Sequence, residues 1–420
     1  MQPTSATYPH HPRAETALQV AIALAGLSLF VAPFQSSAGL RAATLVIAFF
    51  ILLGIARVTH TVTIAIPLNR YLRWGVSIWV LTILTYTLTS PDWQQSLISM
   101  RGQVVTPIFA GIVFYCLCRT SRAVGIWLIA LFSGLIILTG LLINDPFQPV
   151  LIGHEPAYIS IGWLTTWLVM LAALLPLAWL LPWSTPRLAK SIGIIAAMII
   201  FVAAWLTANR MIWLCFGVMF VLYVALNYRR ANRKILHTLS VMAIGALVSI
   251  GLFYLSSVVR ANYYPDTVTS ATAMLKQDDR QLIWKAAIGV ILEKPIAGYG
   301  FALEEGKSAL SAQFSDPWHR NMYRQAHNIV LNYAIQMGVP GALALLCLIA
   351  GLAIGFYSRL QLAASPARRA VASCGLMLVA GFFLRNMTDD FFSRHASLLL
   401  GALVGMLLAV CDWRSSPDKL

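Results

Sequence analysis

From Ala123 to Ile143 the chain runs through twenty-one residues without one charged side chain. At 1.5 Å per residue that is enough helix to cross about 30 Å of hydrocarbon. Apolar runs recur along the whole sequence, near residues 17–34, 42–56, 74–89, 102–118, 158–181, 188–206, 211–227, 236–258, 338–357, 368–385 and 395–411. None is built of the short alternating segments that mark a membrane barrel. The 59% hydrophobic and 11% charged residues exceed and fall short of the roughly one half and one quarter of soluble domains. A water-soluble fold could not hide that much apolar surface. The expected fold is an all-α polytopic membrane protein of about twelve transmembrane helices.

An even number of spans puts both termini on one side, and the Lys and Arg distribution selects which. With the N-terminus inside, seventeen Lys and Arg fall in cytoplasmic segments, among them Arg57, Arg70, Arg73, Arg119, Arg122 and Arg359. The short outward connections hold five: Arg41, Arg101, Arg210, Arg385 and Arg394. The net charge of +15 therefore reports topology, and no nucleic-acid partner is expected. The first span follows His10, His11 and Arg13, and Ser36-Ser37-Ala38 resembles a cleavage site, so this segment also carries marks of a removable signal peptide. All six cysteines lie in or at the ends of apolar runs, a spacing that forms neither a disulfide framework nor a zinc site.

One large outward loop, residues 259–326, separates nine spans in residues 1–258 from three in residues 327–420. It carries helical signals of its own. Asp278 or Asp279 can cap a helix that continues through Arg280, Trp284, Ile288, Ile291 and Leu292 and ends at Pro295 and Gly298-Tyr299-Gly300. A second helix is expected to begin near Ser315 or Asp316. It would run through His327, Leu331 and Ile335 into the membrane and break at Gly338-Val339-Pro340-Gly341.

Polar residues converge on this outer face. Arg210 sits in Leu206-Thr207-Ala208-Asn209-Arg210, almost without a polar buffer between two spans. An Arg drawn to the bilayer centre costs about 2.5 to 3.5 kcal/mol, which favours a bound partner; the plainer reading is a snorkelling interface residue. Arg280 projects from the first turn of its helix, where backbone N–H groups and a guanidinium fork suit a phosphate; the plainer reading is an ion pair with Asp278 or Asp279. His327 lies at a membrane boundary beside Arg324 and Asn328. An imidazole, which changes charge near neutral pH, is the best general-base candidate, although a lone boundary His more often only hydrogen-bonds. Arg324 and Arg385 are further candidate contacts to an anionic substrate, and Asp389 is suited to orient an Arg, His327 or a sugar hydroxyl. The adjacent acids Asp389-Asp390, Asp278-Asp279 and Glu304-Glu305 do not share a helix face, so neither a metal nor another cofactor is expected.

Three segments together resemble the O-antigen ligase family, within the group that also holds O-antigen polymerases and bacterial protein O-oligosaccharyltransferases. They are the span-end Arg210 segment, Arg280-x-x-x-Trp284 followed by Pro295-x-x-Gly298-x-Gly300, and Ala326-His327-Asn328-Ile329-Val330-Leu331 with Gly338-Val339-Pro340-Gly341. Asn209 departs mildly from the Ser that many relatives carry before the Arg. The resemblance implies a GT-C-like glycosyltransferase of the bacterial inner membrane with a folded periplasmic loop. It implies inverting, metal-independent transfer of a glycan from undecaprenyl pyrophosphate to a sugar hydroxyl of the lipid A-core oligosaccharide. It also implies that Arg210 and Arg280 bind pyrophosphate and that His327 deprotonates the acceptor. A transporter of lipid-linked glycan is the alternative from another class, but its ionisable residues would sit near the midplane, and here they gather at the rim.

Overall fold

The computed structural model describes residues 12–34, 37–59, 69–144, 157–178, 186–207, 209–228, 235–263, 279–302, 304–390, 392 and 394–413. The helices are α1 (Pro12–Phe30), α2 (Ala38–Thr59), α3 (Arg70–Leu88), α4 (Trp93–Met100), α5 (Thr106–Leu117), α6 (Ser121–Asn144), α7 (Ala157–Ala172), α8 (Leu175–Ala178) and α9 (Pro186–Leu206). There follow α10 (Met211–Tyr228), α11 (Ile235–Tyr263), α12 (Arg280–Glu293), α13 (Glu304–Ala312), α14 (Pro317–Met322), α15 (Ile329–Gln361), α16 (Pro366–Asn386) and α17 (Arg394–Asp412). A π-helical turn, Arg101–Val105, joins α4 to α5. Among the described residues there is no strand, and seven helical segments are long and apolar enough to cross a membrane. Over the described residues the expected spans fall largely on helices, as an all-α polytopic membrane protein requires. Hydrocarbon offers the backbone no partner, so every spanning segment must satisfy its own N–H and C=O groups.

Small residues set how closely the helices approach, because lipid leaves van der Waals contact as a main source of association. A Cβ on Gly401 or Gly405 of α17 would strike the carbonyl oxygens of Pro107 and Gly111 on α5. One on Gly75 of α3 would lie 2.5 Å from the carbonyl oxygen of Cys347 on α15. Trp127 Nε1 donates to the Ile22 carbonyl at 3.0 Å and holds α6 against α1.

Polar contacts distinguish the two ends of the bundle. At one, Arg359 donates through Nε and Nη2 to both oxygens of Asp412, each at 2.8 Å, and Tyr115 donates to the same carboxylate at 3.1 Å. Asn69 donates to Ser358 Oγ at 3.4 Å, and Asn227 near the end of α10 donates to Ser373 Oγ early in α16 at 3.0 Å. That last bond places the start of α10, and with it Arg210, at the opposite end, where α16 finishes with Arg385.

The described part of the outer loop is helical, with two differences from expectation. Asp316 Oδ2 caps α14 by accepting the His319 N–H at 3.0 Å, but this helix stops at Met322 and does not continue through His327. The chain restarts at Asn328, whose Oδ1 accepts the N–H groups of Val330 at 2.9 Å and Leu331 at 3.2 Å. An Asn ahead of an apolar run is an N-cap signal, and here it outweighs helical continuity. Between the two expected loop helices stands a third, α13, with Glu304 and Glu305 in its first turn.

The Gly338-Val339-Pro340-Gly341 segment bends α15 without ending it, at Met337 (φ −129°) and Gly338 (φ +63°). Pro340 has no N–H for the Gln336 carbonyl four residues back. Gly300 N–H supplies that bond at 2.9 Å, and Tyr299 N–H takes the Ile335 carbonyl at 3.0 Å. Val339 N–H, freed from α15, donates to the Pro295 carbonyl at 2.7 Å. The two glycine motifs, distant in sequence, are therefore the halves of one backbone junction that pairs peptide groups the kink releases.

Candidate active site

The junction delivers the chain to His327. Its φ of +48° lies in the left-handed region, which few residues other than glycine adopt. The peptide before it is held from both sides. Ala326 N–H donates to Asn332 Oδ1 at 2.8 Å, and Trp284 Nε1, one turn along α12 from Arg280, donates to the Ala326 carbonyl at 3.0 Å. Asn332 donates in turn to Asp390 Oδ2 at 2.7 Å, while Phe392 N–H donates to Asp390 Oδ1 at 3.1 Å. Burial pushes the Asp390 carboxyl above its ordinary pKa, partly offset by these two bonds.

Held in this way, the imidazole meets Asp389: His327 Nδ1 and Asp389 Oδ1 are 2.8 Å apart, with side-chain exposures of 15% and 2%. Behind the carboxylate lies Arg385, fully buried, with Nη2 at 3.7 Å from Asp389 Oδ2. Its Nε and Nη2 donate to Thr165 Oγ1 on α7 at 3.1 and 2.9 Å, and Nη2 also lies 3.3 Å from the Gly162 carbonyl. The order is α7, Arg385, Asp389, His327, from the bundle interior toward the solvent.

Arg385, a candidate substrate contact, and Asp389, a candidate substrate contact or orienting group, are both enclosed behind His327. The reason is their i,i+4 relation at the end of α16, which puts both on the side covered by α7. Arg324 does not join them: its Nη2 pairs with Glu304 Oε2 of α13 at 2.5 Å, with both side chains more than half exposed. Asp389 lies beside His327, one of the partners expected for it.

Arg210 is half-buried in the turn before α10. Asn209 Oδ1 caps that helix by accepting the Met211 N–H at 3.0 Å, and the guanidinium lies over the Phe253 ring of α11, 5.9 Å from its centroid. Arg280 opens α12 and is also half-buried. Its neighbour Asp279 makes no cap bond, because its carboxylate accepts the Tyr323 hydroxyl; Asp278 lies outside the described residues. Arg280 is thus tied to the histidine through Trp284 and Ala326.

Sequence reading missed the supporting roles of Thr165, Trp284 and Asn332. An Asn one turn inside an apolar helix, and a Thr in the middle of an apolar run, are the traces that point to them.

Residues 195–346 match the model of the family described as O-antigen ligase. No curated protein matches the chain. The matched segment runs from α9 into α15, so it contains Arg210, Arg280, Arg324 and His327 and stops short of Arg385 and Asp389. The stretch of this multi-pass membrane chain that carries the two candidate arginines and the histidine is thus similar to the O-antigen ligase family.

Proposed function

We propose that the chain transfers a glycan from undecaprenyl pyrophosphate to a sugar hydroxyl of the lipid A-core oligosaccharide, on the periplasmic face of the bacterial inner membrane. The observation that carries this reading is the Arg385–Asp389–His327 array. With Asp389 ionised, its bond to Nδ1 requires the imidazole proton there, so the acceptor lone pair is on Nε2. The acceptor hydroxyl gives its proton to Nε2 as its oxygen attacks the anomeric carbon. The glycosidic bond to pyrophosphate breaks on the opposite face, and the configuration inverts. Asp389 then faces an imidazolium and stabilises it, while Arg385 neutralises the carboxylate from behind.

The leaving group is the undecaprenyl pyrophosphate itself, which needs charge stabilisation more than protonation. Arg210 and Arg280 are suited to supply it, since guanidinium forks match phosphate oxygens and act strongly where water is sparse. Both stand at the array's end of the bundle, and the Lys and Arg asymmetry puts that end outside with both termini in the cytoplasm.

Polymerisation of glycan chains and glycosylation of a protein hydroxyl would use the same donor and base, and differ only in the acceptor. The test offers purified protein in vesicles undecaprenyl-pyrophosphate glycan with lipid A-core, a second lipid-linked glycan, or a pilin-like peptide. Mass gain on lipid A-core alone is the expected result. Gain on either other acceptor reassigns the enzyme within its family. No transfer to any of the three, with an intact donor and folded protein, overturns the reading.

A further inference from the structure

α12 is apolar on two sides. Ile283, Ala287 and Val290 are buried with Leu310, Phe314 and Ile335. On the other side Leu282, Ile288 and Leu292 are exposed, and so is Ile296 in the turn that follows; Leu292 and Ile296 expose 71% and 73% of their surface. Lys285 and Lys294 flank them, also exposed. A helix apolar all round is ordinarily enclosed on every side, yet here one side has no cover among the described residues.

The patch is continuous with the surface that the spans present to lipid. On α3, Tyr71, Trp74, Ile78, Leu81 and Leu88 form one exposed stripe at helical spacing. At the top of that stripe the Tyr86 hydroxyl donates to the Ile296 carbonyl. On α15, which is long and apolar enough to span the membrane, Val339 and Leu343 are exposed, and Val339 N–H donates to the Pro295 carbonyl at 2.7 Å. Ile296 therefore stands over the place where the lipid-facing sides of α3 and α15 meet.

We propose that the outer side of α12 and the Pro295–Ile296 turn lie in the outward-facing leaflet, docked on phospholipid. Leu292 and Ile296 are among acyl chains, with Lys285 and Lys294 reaching the headgroup phosphates. The loop lies along the membrane surface and does not stand off in the aqueous phase. A helix laid flat in this way holds Arg280, at its first residue, at headgroup depth. That is where a membrane-anchored pyrophosphate presents its charge. This last consequence rests on the proposed function; the docking itself does not.

The test replaces Leu292 or Ile296 by a photo-reactive diazirine amino acid of similar shape, in the full chain reconstituted into phosphatidylethanolamine and phosphatidylglycerol vesicles. Leu81 on the α3 stripe and Ser308 on the exposed side of α13 receive the same probe. After irradiation, intact mass is expected to register phospholipid adducts at 292 and 296 with the yield found at 81, and loss of that adduct at 308. An adduct at 81 certifies an inserted, folded bundle. Adduct yields at 292 and 296 no greater than at 308 overturn the proposal, as does crosslinking there to a second copy of the chain. Loss of glycan transfer with the adducts retained would count against the proposed function and leave the docking standing.

Discussion

The His327 imidazole is bonded through Nδ1 to Asp389, and that carboxylate is sealed on its far side by Arg385, whose own donors go to Thr165 and Gly162. The proposed base, the carboxylate beside it and the cation behind that carboxylate are thus drawn from two loops and one helix, with Thr165 of α7 behind them. The 2.8 Å bond between the first pair is the geometry that the following predictions probe.

His327→Ala should lower turnover by about 10² to 10⁴-fold, the usual worth of general-base help. Binding of the lipid pyrophosphate should be nearly unchanged. Arg280→Ala should instead weaken donor binding and turnover together, because the charge it meets is present in both the bound donor and the transition state. Single-turnover rates alongside donor titrations separate the two, and equal loss of binding in both variants would contradict the roles given to them.

Asp389→Asn preserves shape but replaces an acceptor that demands a proton on Nδ1 by an amide whose NH₂ can donate to Nδ1. The proton then moves to Nε2, where the base was needed, so the loss should approach that of His327→Ala, about 10² to 10⁴-fold. Thermal unfolding of the detergent-solubilised variant should change little by comparison. Near-normal turnover in Asp389→Asn would remove Asp389 from the mechanism.

Trp284→Phe removes one N–H donor and keeps most of the ring. The lost bond to the Ala326 carbonyl is worth about 1 kcal/mol in stability, but an imidazole displaced by a fraction of an ångström should slow transfer about ten- to a hundredfold. The check is a double-mutant comparison: in a His327→Ala background the same Trp284 change should have no further effect on turnover. Independent, multiplying losses would make Trp284 a structural residue only.

Gly338 combines a φ of +63° with carbonyl oxygens of Pro295 and Ile296 that would lie 2.5 Å from an added Cβ. Gly338→Ala should therefore destabilise the protein by at least about 2 kcal/mol, from left-handed strain and the clash together. Gly125 of α6 has no atom within 4 Å of its virtual Cβ, and Gly125→Ala should be neutral or mildly stabilising. Unfolding temperatures of the two variants, measured side by side, would settle the difference.

The helices could be read from order and composition because a bilayer makes secondary structure a local problem: a run such as Ala123 to Ile143 has no route through hydrocarbon except as a helix. Arg210, Arg280 and His327 stand out as candidates for a related reason, since charge and imidazole at a membrane boundary are conspicuous against their apolar surroundings. The orientation of Arg385 could not. Its partner Thr165 is 220 residues away, and whether a span-end Arg faces a substrate or the next helix depends on which helices pack together. The end of α14 and the left-handed turn at His327 were hidden for the same reason. Asn332 and Trp284 act by bonds to residues distant in the chain, and the local Asn328 cap prevails over helical continuity only alongside them. The pairing of Gly298 and Gly300 with the kink at Gly338 likewise exists only once α15 is bent against the preceding turn. Local pattern selects the elements because each must satisfy its own backbone. The side on which a residue works follows from contacts between elements, which linear order does not display.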